Sequence, residues 1–318
     1  MKLDQKEPTG AFLSRPSICV ATAEPGGMYH LSFMSTLPDD RLSKYTHLVP
    51  VGETLYGRET VQTTTDFEVL KNAERVVIAG GGWSEWTLKI TNLAKQLKKP
   101  VYYSELSHLP SGEWGKDIKV DGLSALSPDG AASLAGAFKT PVEHILITGN
   151  PLFEGLRGET EDDLAVFLSR PELEREDPEK VFERSARALQ NLGWRVVIRC
   201  HPRENLSTWE GFETSQGGEV INLLSRAGLV FGYPGSAHVL AGVLVGKVIC
   251  IDPYLKHVVN FSPAWVETFT PICRTVDEVI RQVDTGGAVD LEKLEHLAGP
   301  RTGGVERITR FWENLSLQ

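Results

Sequence analysis

Two stretches of this sequence decide its fold: Arg195-Val-Val-Ile-Arg-Cys-His-Pro-Arg-Glu204 and Gly228-Leu-Val-Phe-Gly-Tyr-Pro-Gly-Ser-Ala-His238. Each begins with a short apolar run that is typical of a buried strand and ends in a turn with proline. An uncharged, apolar segment follows the second turn and predicts a helix through Val245. Strands that alternate with helices predict a parallel sheet. We therefore expect both turns at the carboxyl ends of neighbouring strands, the edge where open α/β sheets bind ligands.

The groups in these two turns suit a phosphate. Arginine and histidine side chains offer charge-assisted donors, and backbone amides at a helix start form an anion site. Each turn alone is a common feature, and His201 has a local alternative, a hydrogen bond that fixes its own loop. For Arg203 and Glu204 the alternative interpretation is a surface ion pair, which contributes little to stability. The joint placement of the turns favours a nucleotide- or phosphate-binding site that comprises Arg199, His201, Arg203, Tyr233, Gly235, Ser236 and Ala237.

Length and charge limit the class of protein. A chain of 318 residues predicts two domains of about 150 residues each. Hydrophobic residues make up 41% and charged residues 24%, which is typical of a globular protein. The net charge of −9 argues against a non-specific nucleic-acid binder, because such proteins carry a basic footprint. An anionic substrate held by a local Arg/His cluster remains compatible with it.

Cysteines and hydropathy indicate the compartment. The 4 cysteines form no CxxC pair, so we expect no disulfide framework, no zinc site and a reducing, cytoplasmic environment. The first residues lack the apolar core of a signal peptide. Residues 227–246 are uncharged and long enough to test as a membrane span, but Gly-Tyr-Pro-Gly-Ser-Ala-His would break a spanning helix. We predict a buried strand, turn and helix there, and no transmembrane segment.

The first half of the chain repeats the strand-then-loop pattern. Three predicted strands run into polar or glycine-rich loops at 24–30, 80–85 and 104–105. The full G-x-G-x-x-G fingerprint is missing, so no dinucleotide is expected. We predict that the loops facing a cleft contain Gly26, Gly27, Gly81, Gly82 and Trp83. The acid–base candidates are Glu24, His30 and Glu105. For each of these polar residues a helix cap or a solvated turn is the alternative reading.

The domain boundary is predicted after the run His144-Ile-Leu-Ile-Thr-Gly-Asn-Pro-Leu-Phe153. An apolar strand that is stopped by Gly-Asn-Pro is a strong turn signal. Charge then rises from residue 157 to residue 180, a segment that we assign to no strand. The expected domains are a Rossmann-like domain over 1–148, which binds the acceptor, and a second Rossmann-like domain over 149–318. We expect the helix near 305–315 to pack back on the first domain.

At this level the chain resembles the GT-B fold superfamily, in which two Rossmann-like domains face each other across a nucleotide-sugar cleft. Ile145-Leu-Ile-Thr-Gly-Asn-Pro-Leu-Phe153 looks like the crossover segment of the non-hydrolysing UDP-N-acetylglucosamine 2-epimerases. Arg199-Cys-His-Pro202 is similar to the His-Pro motif of bacterial sialyltransferases and CDP-glycerol phosphotransferases. Gly235-Ser236 followed by Gly246-Lys247 resembles the diphosphate loop and the step after it. The chain departs from the pattern at Ala241, where many of these enzymes have a ribose-binding glutamate.

The resemblance implies a metal-independent glycosyltransferase that moves a sugar from a nucleotide-activated donor to a hydroxyl acceptor, in the synthesis of surface polysaccharide or glycoconjugate. It implies no cofactor and no bound metal, and it is compatible with a homodimer. Among the acid–base candidates we favour His30 as the general base, because an imidazole titrates nearest neutral pH. Two alternatives stay open. One is an isomerase of the UDP-sugar 2-epimerase type, and the other is a GT-B-like protein that binds a nucleotide sugar without turnover.

Overall fold

The computed structural model describes residues 17–23, 31–50, 63–80, 84–106, 119–154, 160–170, 179–201, 204–216, 220–253, 269–270, 272–285 and 289–314. These residues form two parallel sheets with helices packed against them. The predicted α/β fold class with two Rossmann-like units is confirmed.

The first sheet contains the N-terminal strands, all of them parallel. They are β1 (Ile18–Ala21), β2 (Tyr45–Leu48), β3 (Thr63–Thr64), β4 (Arg75–Ala79), β5 (Val101–Ser104), β6 (Gly122–Ala125) and β7 (Ile145–Ile147). Their spatial order is β3-β2-β1-β4-β5-β6-β7. The order reverses between β1 and β4, which makes the carboxyl ends of these two strands a topological switch point.

The second sheet is built in the same way. Its strands are β8 (Glu161–Leu168), β9 (Arg195–Arg199), β10 (Glu213–Ser215), β11 (Ala227–Gly232), β12 (Val248–Ile251) and β13 (Ile272–Cys273). They are parallel, in the order β10-β9-β8-β11-β12-β13. The switch point of this sheet therefore lies between β8 and β11.

Helices connect the strands. The α-helices are α1 (Asp39–Leu42), α2 (Val69–Asn72), α3 (Glu85–Gln96), α4 (Pro128–Phe138), α5 (Val181–Asn191), α6 (Val220–Leu224), α7 (Ser236–Val245), α8 (Val276–Asp284), α9 (Leu291–Ala298) and α10 (Gly304–Glu313). Short 3₁₀ helices cover Leu31–Thr36, Val142–His144, Pro151–Phe153 and Leu206–Trp209. Several helix starts are capped by a hydroxyl, as where Ser127 accepts from the Gly130 amide at 3.1 Å.

The central strand of the second sheet was not predicted from the sequence. We expected no strand in residues 157–180, yet β8 lies there and occupies the middle of the second sheet. We had expected β9 and β11 to be neighbouring strands. In the structure β8 lies between them and pairs with both. The acidic residues at the start of β8 are not typical of a buried strand. They are accommodated because Glu161 forms ion pairs with Arg195 and Arg226 at the edge of the sheet. Only the second half of the strand is continuously buried.

The segment 227–246 is a buried strand, turn and helix, as predicted. All six residues of β11 are buried, and α7 lies between the sheet and α9, where Gly242 approaches Leu294. A Cβ atom on Gly242 would lie 3.1 Å from a methyl carbon of Leu294, so this helix packs at close range. Within the described part of the chain, no helix has the length and apolar character needed to cross a membrane.

After the second sheet the chain returns to the first one. Trp312 in α10 is fully buried, and its ring centroid lies 5.7 Å from that of Phe33 and 6.0 Å from that of Tyr45. The indole Nε1 donates to the Ser104 hydroxyl at 2.7 Å. At the surface end of this contact, Arg41 donates to Glu313 at 2.9 Å. The helix α10 therefore contributes to the core of the first sheet.

The chain passes from one sheet to the other twice, after β7 and after α9, and these two segments are in contact. Gly149 and Gly299 both have φ of 74°, a left-handed conformation that favours glycine. A Cβ atom on Gly299 would lie 1.9 Å from the Leu126 carbonyl oxygen, and one on Gly149 would lie 2.2 Å from the Pro300 carbonyl oxygen. Arg307 closes the contact by donating from Nε to the Thr148 carbonyl at 2.7 Å.

Candidate functional site

The loop after β9 is held in place by one carboxylate. Glu204 accepts hydrogen bonds from the His201 backbone amide and from the Ser169 hydroxyl, and its own amide donates to the His201 carbonyl at 2.9 Å. The indole of Trp209 contributes a longer bond of 3.4 Å to the same side chain. Because Ser169 follows β8 and His201 follows β9, Glu204 ties together the ends of two adjacent strands. The Glu204 side chain forms this clamp, and the alternative of an ion pair with Arg203 lies outside the described residues.

The same loop has a second tie from β10. The Gln216 side-chain amide donates to the carbonyls of His201 and Glu204, each at 2.9 Å. Arg199, half-buried at the end of β9, donates to the Ser215 hydroxyl at 3.1 Å. These contacts fix the path of the loop, so His201 occupies a defined position at the carboxyl edge of the sheet.

A stacked pair marks the switch point. The guanidinium of Arg170, two residues after the end of β8, lies 4.1 Å above the ring centroid of Tyr233, the first residue after β11. The Tyr233 amide donates to the Leu168 carbonyl at 3.3 Å, and Gly232, with φ of 138°, allows the two strand ends to approach. Arg170 was not predicted as a site residue, because it follows the strand β8, which was not predicted either. The available signal was the apolar run Leu164-Ala-Val-Phe-Leu168, which ends in the polar turn Ser169-Arg170-Pro171.

The turn after Tyr233 opens the helix α7. Gly235 is the N-cap residue, with extended backbone and no side chain, so it offers no capping oxygen to the first amides. The amides of Ser236 and Ala237 therefore belong to the uncapped first turn of a 10-residue helix, whose positive dipole end favours an anion. His238 follows in the same turn and is fully buried, and burial lowers its pKa to about 3.

Glu105 is described at the end of β5, but it is buried. Its side chain is 1% exposed and lies against the start of α4, where a Cβ atom on Gly130 would be 2.7 Å from the carboxylate oxygen Oε2. A carboxylate at a helix N-terminus is stabilised by the helix dipole. In this conformation Glu105 suits the support of α4 better than contact with an acceptor.

Several predicted site residues lie outside the residues that the structure describes. For Ser236 only the backbone is described. The residues without a described position are Glu24, Gly26, Gly27, His30, Gly81, Gly82, Trp83 and Arg203. The strand ends that precede them are described: Thr22 and Gly80 lie side by side, with the Thr22 hydroxyl 3.4 Å from where a Gly80 Cβ would be.

Cys200 is the thiol beside the His201 loop at the described edge. Cys200 is buried beside His201, and burial, with a smaller effect of Glu204, raises the pKa of its thiol to about 11. Such a thiol is a poor nucleophile at neutral pH. In the described part of the chain, no group of three or more His, Cys, Asp or Glu side chains is arranged to hold a metal ion.

Comparison with known proteins gives a fold and no family. No family model and no curated protein sequence matches the chain. Among solved structures, the wall teichoic acid polymerase TagF matches with a TM-score of 0.63 and 13% identity, over 95% of this chain and 90% of TagF. The Methanocaldococcus jannaschii UDP-GlcNAc 2-epimerase in complex with UDP-GlcNAc and UDP matches with a TM-score of 0.57 and 14% identity, over 93% of this chain and 99% of the epimerase.

A third match is Anabaena HepE in complex with UDP, with a TM-score of 0.57 and 10% identity, over 94% of this chain and 99% of HepE. At these identities the likeness shows the fold alone. It confirms the arrangement of two Rossmann-like units that the sequence resemblance implied.

Proposed function

We propose that this chain is a nucleotide-sugar enzyme of GT-B type, and more specifically a metal-independent glycosyltransferase that moves a sugar from a nucleotide-activated donor to a hydroxyl acceptor. One observation carries the proposal. Arg170, His201 and the uncapped start of α7 lie at the carboxyl ends of β8, β9 and β11, which are contiguous strands at the switch point of the second sheet. Open α/β sheets bind ligands at this position.

The proposed chemistry follows from those groups. When the bond from sugar to phosphate breaks, negative charge develops on the leaving phosphate oxygens. Donors that already point to that position stabilise the transition state without reorganisation. The amides of Ser236 and Ala237 and the guanidinium of Arg170 suit this role, and Arg203 remains a proposed partner. The Glu204 clamp keeps the His201 loop beside them.

The acceptor hydroxyl must lose its proton to a general base. We propose that the base comes from the loop after β1, with His30 preferred and Glu24 as the alternative. Glu105 was a third candidate, but its burial against α4 favours a supporting role. We further propose that residues 1–148 and 149–318 are the acceptor and donor domains, that the reaction needs no cofactor, and that the protein works in the cytoplasm in surface polysaccharide or glycoconjugate synthesis.

A second candidate function has a specific observation in its favour. The UDP-GlcNAc 2-epimerase is among the structures that share this fold over 93% of the chain. An epimerase would convert a UDP-sugar without an acceptor and without release of UDP. A transferase would release the nucleotide only as the acceptor becomes modified, so the product distinguishes the two functions.

The test begins with binding. Calorimetric titration with UDP, GDP, CDP, CMP and dTDP should identify one nucleotide that binds the native protein. Arg170→Ala should weaken that binding by about tenfold or more, which corresponds to about 1.4 kcal/mol. The matched control is Arg184→Ala, which removes an exposed arginine from α5, on a different element. Absence of binding by all five nucleotides would overturn the proposed function. Nucleotide binding without turnover on any sugar donor would replace it with a non-catalytic binding role.

A further inference from the structure

His238 is a polar residue in an apolar helix. Ser236 and His238 are the only residues of α7 with a polar side chain; the rest are Ala, Val, Leu and Gly. The His238 side chain has no solvent exposure, and neither ring nitrogen has a hydrogen-bond partner among the described residues. A buried polar group without a partner lowers the stability of the folded state, so native proteins rarely keep one without a role.

The ring lies at the start of the helix, beside the Gly235 backbone. The Gly235 carbonyl accepts the His238 main-chain amide at 2.9 Å. The same carbonyl acts on the imidazole and raises its pKa, although burial has the larger effect and brings the pKa to about 3. The ring is consequently neutral at neutral pH and carries one N–H donor and one acceptor nitrogen.

One peptide unit links this ring to the anion site. The carbonyl of Gly235 and the amide of Ser236 belong to the same peptide group. A carbonyl oxygen has two lone pairs, so the Gly235 oxygen has room for a second donor besides the His238 amide. A hydrogen bond to that oxygen polarises the peptide group and makes the Ser236 amide a stronger donor to an anion.

We propose that His238 is a positioning residue for the phosphate groups of the donor: its ring N–H donates to the Gly235 carbonyl when an oxyanion occupies the amides of Ser236 and Ala237. This proposal rests on the proposed function. Ligand binding then gives a partner to a ring donor that has none among the described residues, and the energy gained adds to the affinity for phosphate. The ring acts through the backbone and does not touch the ligand.

The test compares His238→Leu with His238→Gln. Leucine removes the donor and the unsatisfied nitrogens, whereas glutamine keeps an N–H donor on a side chain of similar reach. The probes are UDP and inorganic pyrophosphate, titrated by calorimetry, and each variant is also melted thermally. Val243→Leu, about one and a half turns further along α7, is the matched control for a change in helix packing.

We expect His238→Leu to raise the thermal midpoint and to weaken UDP and pyrophosphate binding by about tenfold, and His238→Gln to restore the affinity to within about threefold of native. A residue with a purely structural role would change the melting temperature alone. Native affinity in the leucine variant would overturn the proposal, and so would equal losses in both variants. Absence of UDP and pyrophosphate binding to the native protein would instead remove the proposed function.

A second measurement keeps the proposal testable if the leucine variant does not fold. In ¹⁵N-histidine-labelled native protein, pyrophosphate should shift the ring N–H signal that is missing from the His238→Gln spectrum. An unshifted signal at saturating pyrophosphate would overturn the proposal.

Discussion

Replacement of Glu204 by alanine should both destabilise the protein and weaken nucleotide binding. The carboxylate accepts from the His201 amide and from the Ser169 hydroxyl, with a longer bond from Trp209. Hydrogen bonds to a charged group contribute about 1.5–3 kcal/mol each, so two of them sum to about 3–6 kcal/mol. The site is half-buried, and water can replace part of the loss. We therefore expect a loss of about 2–3 kcal/mol of unfolding free energy, or a melting temperature lower by roughly 5–10 °C.

Glu204→Gln refines this prediction. The glutamine oxygen can still accept from the His201 amide, and its NH₂ group can donate to the Ser169 oxygen, because a hydroxyl is both donor and acceptor. Only the long bond from Trp209 loses its acceptor. The expected loss is about 1 kcal/mol, which reflects the missing charge.

The assay is thermal melting together with UDP titration of Glu204→Ala, Glu204→Gln and the control Glu213→Ala, whose side chain is exposed on β10. The control should stay within about 0.5 kcal/mol of native. For Glu204→Ala, UDP affinity should fall by about tenfold, because the loop that carries His201 is released. Equal stability of the alanine variant and the native protein, with unchanged UDP affinity, would refute the idea that this carboxylate organises the edge.

Three further predictions concern stability. Gly299→Ala should lower the melting temperature by more than 10 °C or prevent folding, since the added Cβ would lie 1.9 Å from the Leu126 carbonyl oxygen. The control is Gly136→Ala in the interior of α4, where an added Cβ would meet no atom within 4 Å, and it should raise the unfolding free energy by about 0.5–1 kcal/mol. Burial lowers the pKa of His47 to about 4, below its unfolded value near 6.5, so His47 should lower stability by about 1.4 kcal/mol per pH unit as the pH drops from 6.5 towards 4. Burial lowers the pKa of His238 to about 3, so His238 should add a similar slope over the same range. His47→Leu should therefore remove about half of the slope, and an unchanged slope would contradict the assignment. Trp312→Phe, which loses the indole hydrogen bond and part of the ring, should cost about 2 kcal/mol in chemical unfolding, and a loss below 0.5 kcal/mol would contradict its core role.

The sequence predicted those strands and helices that have a clear local pattern of apolar, capping and turn residues. The strands β9 and β11 are short apolar runs bounded by turn residues, and α4 has its cap, proline and small-residue face within a single stretch. For such elements the local pattern and the tertiary burial agree, so the prediction of the two sheets and of the GT-B-type fold was correct.

The prediction failed where a distant partner determines the local structure. The acidic start of β8 forms a strand because Arg195 and Arg226 neutralise Glu161, and those arginines are 34 and 65 residues away in sequence. Because β8 was not predicted, Arg170 was not named among the candidate site residues either. The Glu204 clamp was missed for a similar reason, since one of its donors, Ser169, lies 35 residues away in sequence, after β8.

The packing of α10 on the first sheet has a consequence for biosynthesis. The core of that sheet includes Trp312, which the ribosome makes about 160 residues after the strand β7 is complete. At roughly 5–20 residues per second, the first sheet waits roughly 10–30 s with the place of the indole unfilled and the apolar rings of Phe33 and Tyr45 uncovered. During that interval we expect the nascent first half to expose the aromatic surface that Trp312 later covers. Folding of the two units is therefore coupled by the order of synthesis: the first sheet begins first and is completed after the second.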